Sequence, residues 1–247
     1  MDTSLNGKRA LITGAGDGIG REIAVAMARE GATVAVHGRS LVRIESTLAA
    51  IKAEGGTAIP ALADLVDEDA IATMCEDALS SLGGLDVLVN NAGINIADRT
   101  LEKLTPGDWD RVMDINATGA YNTIHAVLPH MRTQQDGVVI AVSSMAGCAP
   151  SVLGGVAYSA AKHAMSVLTK MVDLEEAKHG IRACVVSPGE INTPILDQRP
   201  VKVTDERKAR MLQPEDIAHA VMFVATLPSR VVIEEMIIKP RGQGSVT

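Results

Sequence analysis

The sequence predicts a doubly wound parallel α/β sheet of about seven strands with helices on both faces, built as one domain over residues 1–247. Two observations carry that expectation. Short apolar runs rich in β-branched residues alternate with longer helical patterns, the signature of parallel strands joined by crossover helices. No Pro/Ser-rich linker or internal repeat interrupts the series, and a chain of 247 residues can bury a sizeable core.

The first strand is expected near Ala10 to Thr13, followed by a glycine-rich turn and the amphipathic stretch "REIAVAMARE". Further strands are expected near Thr33 to Val36, Thr57 to Ala61 and Val87 to Val89. Two long helices, near Pro106 to Met131 and Tyr158 to His179, flank a strand near Val138 to Val142. Strands near Ala183 to Val186 and Met236 to Ile238 complete the series. The uncharged stretch from Gly137 to Ala161 is long enough to span a bilayer. Its Gly, Ser and Pro residues read instead as strand, loop and helix start. In such a sheet, ligands bind at the carboxyl ends of the strands. Thr13, Asp64, Asn90, Ser144 and Pro188 all fall just past predicted strand ends, so they converge on one edge.

Composition narrows the class. Apolar residues make up 47% of the chain with only one Trp, two Tyr and one Phe, so aliphatic side chains and methionines must fill the core. A net charge of −7 without a Lys/Arg cluster argues against a nucleic-acid partner. Cys75, Cys148 and Cys184 are scattered and read as reduced thiols, and the six histidines never approach metal-ligand spacing, so no metal site is expected. "MDTSLNGKRAL" lacks an apolar signal core, which together with the rest suggests a cytoplasmic protein without a membrane partner.

Two clusters carry chemistry. Gly14, Gly16, Gly18 and Gly20 form a turn between strand and helix, where free N–H groups favour an anion such as a pyrophosphate. It is not a P-loop, because Arg21-Glu22 stands where Lys-Ser/Thr is needed, and Ile19 breaks the G-x-G-x-x-G spacing. Gly14, Gly18 and Gly20 remain, behind Thr13. The second cluster is "YSAAK", in which Tyr158 and Lys162 share one helix face. Bringing a phenol to neutral pH takes about 3 pKa units, or about 4 kcal/mol. A unit charge about 4 Å away supplies about that at an effective dielectric near 20.

The ordered motifs "TGAGDGIG", Asp64, "NNAG", "MDINATG", "IAVSSMAG", "YSAAK" and "SPGEINTP" resemble those of the short-chain dehydrogenase/reductase superfamily in its compact branch. The resemblance runs from about Lys8 to Arg241 and implies a Rossmann-like fold, NAD(P) binding, homodimers or homotetramers, and a small carbonyl or alcohol substrate. It implies Tyr158 as acid/base, Lys162 lowering its pKa and bonding the nicotinamide ribose, and Ser144 bonding the substrate oxygen, with Ser143 the weaker alternative. Asn116 would hold a water linking Lys162 to solvent. Thr13, Gly14, Gly16, Asp17, Gly18, Ile19, Gly20, Asn90, Ala92 and Gly93 match cofactor-binding positions. Asp64 would take the adenine amino group beside Leu65, and could equally be a helix N-terminal acid. Pro188, Gly189, Ile191 and Thr193 match the segment over the nicotinamide.

At the end of the second strand Gly38 stands where NAD-selective sites place an acid, and Arg39 follows, which favours NADP(H) over NAD(H). Asp17 weighs slightly the other way. Candidate substrate contacts are Asn95, Met145, Val152, Glu190 and Ile195. Residues 195–213 read as a short, charged lid, open or unfolded until ligand binds. The ending "EEMIIKPRGQGSVT" departs from the family's usual "VDGG" and resembles the branch of clavulanate-aldehyde and hydroxy-amino-acid reductases, a hint toward a polar substrate. The alternatives are an NAD-dependent alcohol dehydrogenase of the same family and a non-catalytic NAD(P) sensor; the complete set of Asn116, Ser144, Tyr158 and Lys162 argues against the sensor.

Overall fold

The computed structural model describes residues 4–242. Seven strands form one parallel sheet in the order β3-β2-β1-β4-β5-β6-β7. They are β1 (Arg9–Ile12), β2 (Thr33–Gly38), β3 (Thr57–Leu62), β4 (Val87–Asn90), β5 (Gly137–Val142), β6 (Ile181–Pro188) and β7 (Glu235–Ile238). Every expected strand is present. β2 and β6 run two residues further than the sequence suggested, because Gly38 pairs with Leu62 while Ser187 and Pro188 pair with Ile237 and Ile238.

The central strands are buried on both faces, and their alternation explains why. Ile12, Val36, Val89 and Ile140 face one layer, containing α1 (Gly18–Arg29), α2 (Leu41–Ala53) and α8 (Pro214–Ala225). Leu11, Ala35, Leu88 and Val139 face the other, with α3 (Glu68–Leu82), α5 (Gly119–Gln134) and α6 (Val156–Glu176). Between these lie α4 (Pro106–Met113), and later the short α7 (Asp205–Lys208). Crossovers from β1 run outward to β3, then the chain returns to β4 on β1's other side. The gap between β1 and β4 is therefore the switch point, and ligands collect above such a gap.

Local chemistry sets the helix ends. Asp67 accepts a bond from Ala70 N–H to start α3, and Gly83 ends it at φ 69°. Thr105 caps α4 with Pro106 behind it, and α4 runs into α5 through a π turn at Asp114–Thr118. That wide turn falls on Asn116, and such turns recur at functional positions. α6 begins at Gly155, whose φ is 83°. Gly137 to Ala161 is strand, loop with a 3-10 turn, and helix start, as its composition suggested. No helix among the described residues is long and apolar enough to cross a membrane.

Candidate active site

Above the β1–β4 gap lies a cleft of about 400 Å³, walled by the glycine turn, the ends of β2 and β4–β6, the start of α6 and residues 188–199. Gly14 holds φ at 64°, and a Cβ there would come within 2.7 Å of Ala92 Cα. The turn is fixed from below: Gly14 N–H donates to His37 Nδ1 at 3.0 Å, and His37 Nε2 faces Ala63 O at 3.3 Å. Burial holds the His37 pKa at about 4, so the ring is neutral and its proton sits on Nε2. α1 starts with no side-chain cap and no acid in its first turn, which leaves its N–H groups suited to a diphosphate.

Gly14, Gly16, Asp17, Gly18 and Ile19 line the cleft, as do Asp64, Leu65, Ala92 and Gly93. Thr13, Gly20 and Asn90 lie behind it. The Thr13 hydroxyl accepts from Asn91 and Ala92 N–H at 3.0 Å each, tying β1 to the turn after β4. Asn90 is buried and donates to Ala120 O at 3.3 Å. Asp64 is exposed and closes a local turn by accepting from Val66 N–H. The helix-capping role that the sequence offered to Asp64 belongs to Asp67. Arg39 lines the cleft at the end of β2, with Arg43 one helical turn further on.

The opposite wall carries Ser144, Tyr158 and Lys162. Lys162 is 3% exposed, and its Nζ donates to Val142 O at 2.8 Å. Burial lowers its pKa from 10.5 to about 8. Nζ stands 5.8 Å from the Tyr158 ring centre. Tyr158 is half-buried in the cleft wall. Burial pushes its hydroxyl above its ordinary pKa, while a bond from Ser144 and the charge of Arg99 pull against it. The charge of Arg99, which the sequence did not single out, thus joins Lys162 beside Tyr158.

The two serines separate cleanly. Ser143 donates to Lys162 O at 3.1 Å and shares a bond with Ser166 at 2.8 Å, so its hydroxyl is committed to α6. Ser144 accepts from Ala146 N–H and keeps its hydroxyl toward Tyr158. Asn116 is fully buried, and its amide accepts from Ile94 N–H at 2.7 Å and donates to Ile94 O at 2.8 Å. It therefore clamps the turn beneath Lys162 and does not reach the cleft wall.

Pro188, Gly189, Ile191 and Thr193 line the cleft, with Thr193 next to Gly18. Among the substrate candidates, Asn95, Met145, Glu190 and Ile195 line it, whereas Val152 is 94% exposed and lies outside. Glu190 is bonded by Arg199 at 3.1 Å and Arg207 at 2.7 Å, which anchors the segment after β6. That segment is folded, with a 3-10 turn at Pro194–Gln198, α7, and a bridge between Ile191 and Leu212. Of the two expectations for this lid, open or unfolded, the second did not allow for this ionic anchor.

Sequence reasoning passed over Arg43, Asn91, Arg99 and Arg199. Arg43 was findable, being four residues after Arg39. Asn91 sat in the quoted motif and donates to Thr13 O and Gly14 O. Arg99 and Arg199 had no local signal, because separate segments bring them to the cleft. Cys75 and Cys184 are buried free thiols pushed up to about 12 by burial.

The sheet, its switch point and the cleft above it define a Rossmann-like α/β protein. Residues 8–203 match the family model described as short chain dehydrogenase, and the chain belongs to that family of oxidoreductases, which bind a nicotinamide cofactor. It is 38% identical over 229 residues to the 3-oxoacyl-(acyl-carrier-protein) reductase FabG of Staphylococcus aureus, covering 89% of this chain and 91% of that one. It is 33% identical over 245 residues to the glycine betaine reductase ATRR of Emericella nidulans, covering 97% of this chain but only 19% of that much longer protein. A metagenomic short-chain oxidoreductase solved in complex with NADP superposes with a TM-score of 0.83 at 32% identity, covering 96% of this chain and 98% of that one.

Proposed function

We propose that the chain is an NADP(H)-dependent oxidoreductase that interconverts a carbonyl and a primary or secondary alcohol, with Tyr158 as acid/base. The observation that carries this reading is the shared wall of Ser144, Tyr158 and Lys162 facing the glycine turn across one cleft. When bound, the nicotinamide supplies or accepts the hydride. Tyr158 gives its proton to the carbonyl oxygen during reduction and removes one from the alcohol during oxidation. Ser144 donates to the same oxygen and stabilises charge as it develops there. Lys162 bonds the ribose and steadies the phenolate, and the π turn at Asn116 offers backbone oxygens for a water between Lys162 and solvent. Pro188, Gly189, Ile191 and Thr193 cover the nicotinamide, and residues 195–213 serve as the substrate lid.

The NADP(H) preference rests on Arg39 just after β2, on Arg43 in the first turn of α2, and on Gly38. A Cβ at Gly38 would meet the Ile44 methyl at 2.5 Å, so the position usual for a ribose-binding acid has no room for one. Homodimers or homotetramers in the cytoplasm are proposed as well. Val167, Met171 and Leu174 on α6 and Tyr121 on α5 leave apolar surface for a second copy.

The test is reduced-cofactor absorbance with NADPH and NADH in parallel over ketones, aldehydes and hydroxy acids. Tyr158→Phe is expected to lower turnover by about 10²- to 10⁴-fold while cofactor still binds. Cofactor binding without turnover across the panel would move the reading to a sensor, and activity surviving Tyr158→Phe would overturn the mechanism.

A further inference from the structure

The cleft holds a guanidinium that the family chemistry above leaves unused. Arg99 is 6% exposed and lines the cleft. Its carbonyl accepts from Val156 N–H at 3.1 Å, and its stem packs on Gly155, the residue just before α6 begins. Arg99 is thus built into the foundation of α6, close enough for its charge to act on the Tyr158 hydroxyl.

Its own needs are not met. Nη1 donates to Leu153 O at 3.0 Å and Nη2 donates to Gln198 O, but buried Nε has no acceptor. Among the described residues no carboxylate pairs with it. A guanidinium carries five N–H donors in a fork that matches a carboxylate. Arg182 shows what a structural arginine looks like in this chain: equally enclosed, it donates to four carbonyls, those of Val224, Ala225, Leu227 and Val231. Arg99 has half as many acceptors and a second cation nearby, since Arg199 acts on it. Glu190, which lines the same cleft, is held by Arg199 and Arg207. The substrate end of the cleft therefore carries excess positive charge in a chain whose net charge is −7. An uncompensated buried charge is expensive unless a ligand completes it.

We infer that Arg99 receives the carboxylate of the substrate, so that the reaction proposed above acts on an oxo acid or hydroxy acid whose carboxylate lies close to the reacting carbon. This rests on the oxidoreductase reading and adds the substrate class. Binding and turnover test the two separately. Titration calorimetry on the NADP⁺-loaded enzyme compares short 2- and 3-hydroxy acids with their methyl esters, and NADPH oxidation compares the matching oxo acids and oxo esters. Acids are expected to bind at least about tenfold more tightly than esters, the range for a charge-assisted pair. That ratio is expected to collapse in Arg99→Gln and to survive in part in Arg99→Lys, which keeps the charge while losing the fork. The wild-type comparison needs no variant, so a misfolded Arg99→Gln does not spare the inference. Esters binding as well as acids to the wild type, or an acid preference that persists in a folded Arg99→Gln, overturns it. Acid-selective binding with no turnover of acids or esters supports the anion site and counts against the oxidoreductase reading instead.

Discussion

Replacing Lys162 by Met is expected to stabilise this protein while abolishing its turnover. Lys162 is buried with no carboxylate among the described residues, and burial lowers its pKa from 10.5 to about 8. That difference corresponds to about 3 kcal/mol against folding at neutral pH, at 1.36 kcal/mol per pKa unit. Methionine matches the stem's volume and removes the charge, while losing the bond to Val142 O subtracts about 1 kcal/mol. The net gain is about 2 kcal/mol, or a Tm increase of about 4–8 °C for a chain of this size. The pH dependence has a definite sign. The folded pKa lies below the unfolded one, so between about 8 and 10.5 the unfolded chain binds more protons and the wild type gains stability as pH rises. The advantage of Lys162→Met is therefore full below about pH 8 and fades toward pH 10.5. Calorimetric melts of both proteins without added cofactor, over a pH series, measure that gap. A variant less stable than wild type at neutral pH, or a gap that stays constant with pH, would refute the reasoning.

Two further substitutions probe cofactor choice and the sheet. Arg39→Ala is expected to weaken NADPH binding by about tenfold with little effect on NADH, read as the ratio of kcat/KM values. Gly38→Asp, the usual route toward NAD, is expected instead to lower stability by about 1–3 kcal/mol in a denaturant melt, because its Cβ meets buried Ile44. Asp86→Asn breaks the clasp in which Asp86 accepts from Arg9 N–H, Nε and Nη2 at 2.8, 2.7 and 3.0 Å, and is expected to cost about 2 kcal/mol at neutral pH. Burial alone would raise the Asp86 carboxyl, but the bonds from Arg9 outweigh it and hold it below 3.8. That stability is present above pH 3.8 and lost as pH falls through the folded value, so melts in acid should show the gap closing.

The fold was legible because each strand is a short β-branched run between helical patterns, and burial on both faces leaves little ambiguity about a parallel sheet. The site was legible where one segment carries its own geometry, as in the turn at Gly14 to Gly20 or the single helical turn from Tyr158 to Lys162. It was not legible where distant segments meet. Glu190 read as a candidate substrate contact and lines the cleft, but nothing local announced that Arg199 and Arg207 would bind it. Asn116 read as the holder of a water between Lys162 and solvent, and nothing in the sequence signalled that its amide spends both polar atoms on Ile94. Val152 was a candidate substrate contact, and the loop before α6 carries it outward.

Arg99 and Lys162 together explain why one lysine is an incomplete account of Tyr158. Burial works against ionising the phenol, so lowering its pKa requires positive charge that is itself buried and uncompensated, and the wall of the cleft holds two such groups. Both would be destabilising anywhere else in the chain, where the other buried arginine, Arg182, is saturated with carbonyls and the half-buried Arg9 is paired with Asp86. Their charges differ in persistence. Lys162 loses its proton as pH passes about 8, whereas a guanidinium stays charged throughout the working range. A substrate carboxylate on Arg99 would neutralise the more persistent of the two and so weaken its pull on Tyr158. Acid/base control would then pass to Lys162 only after substrate has bound, when the proton has to move.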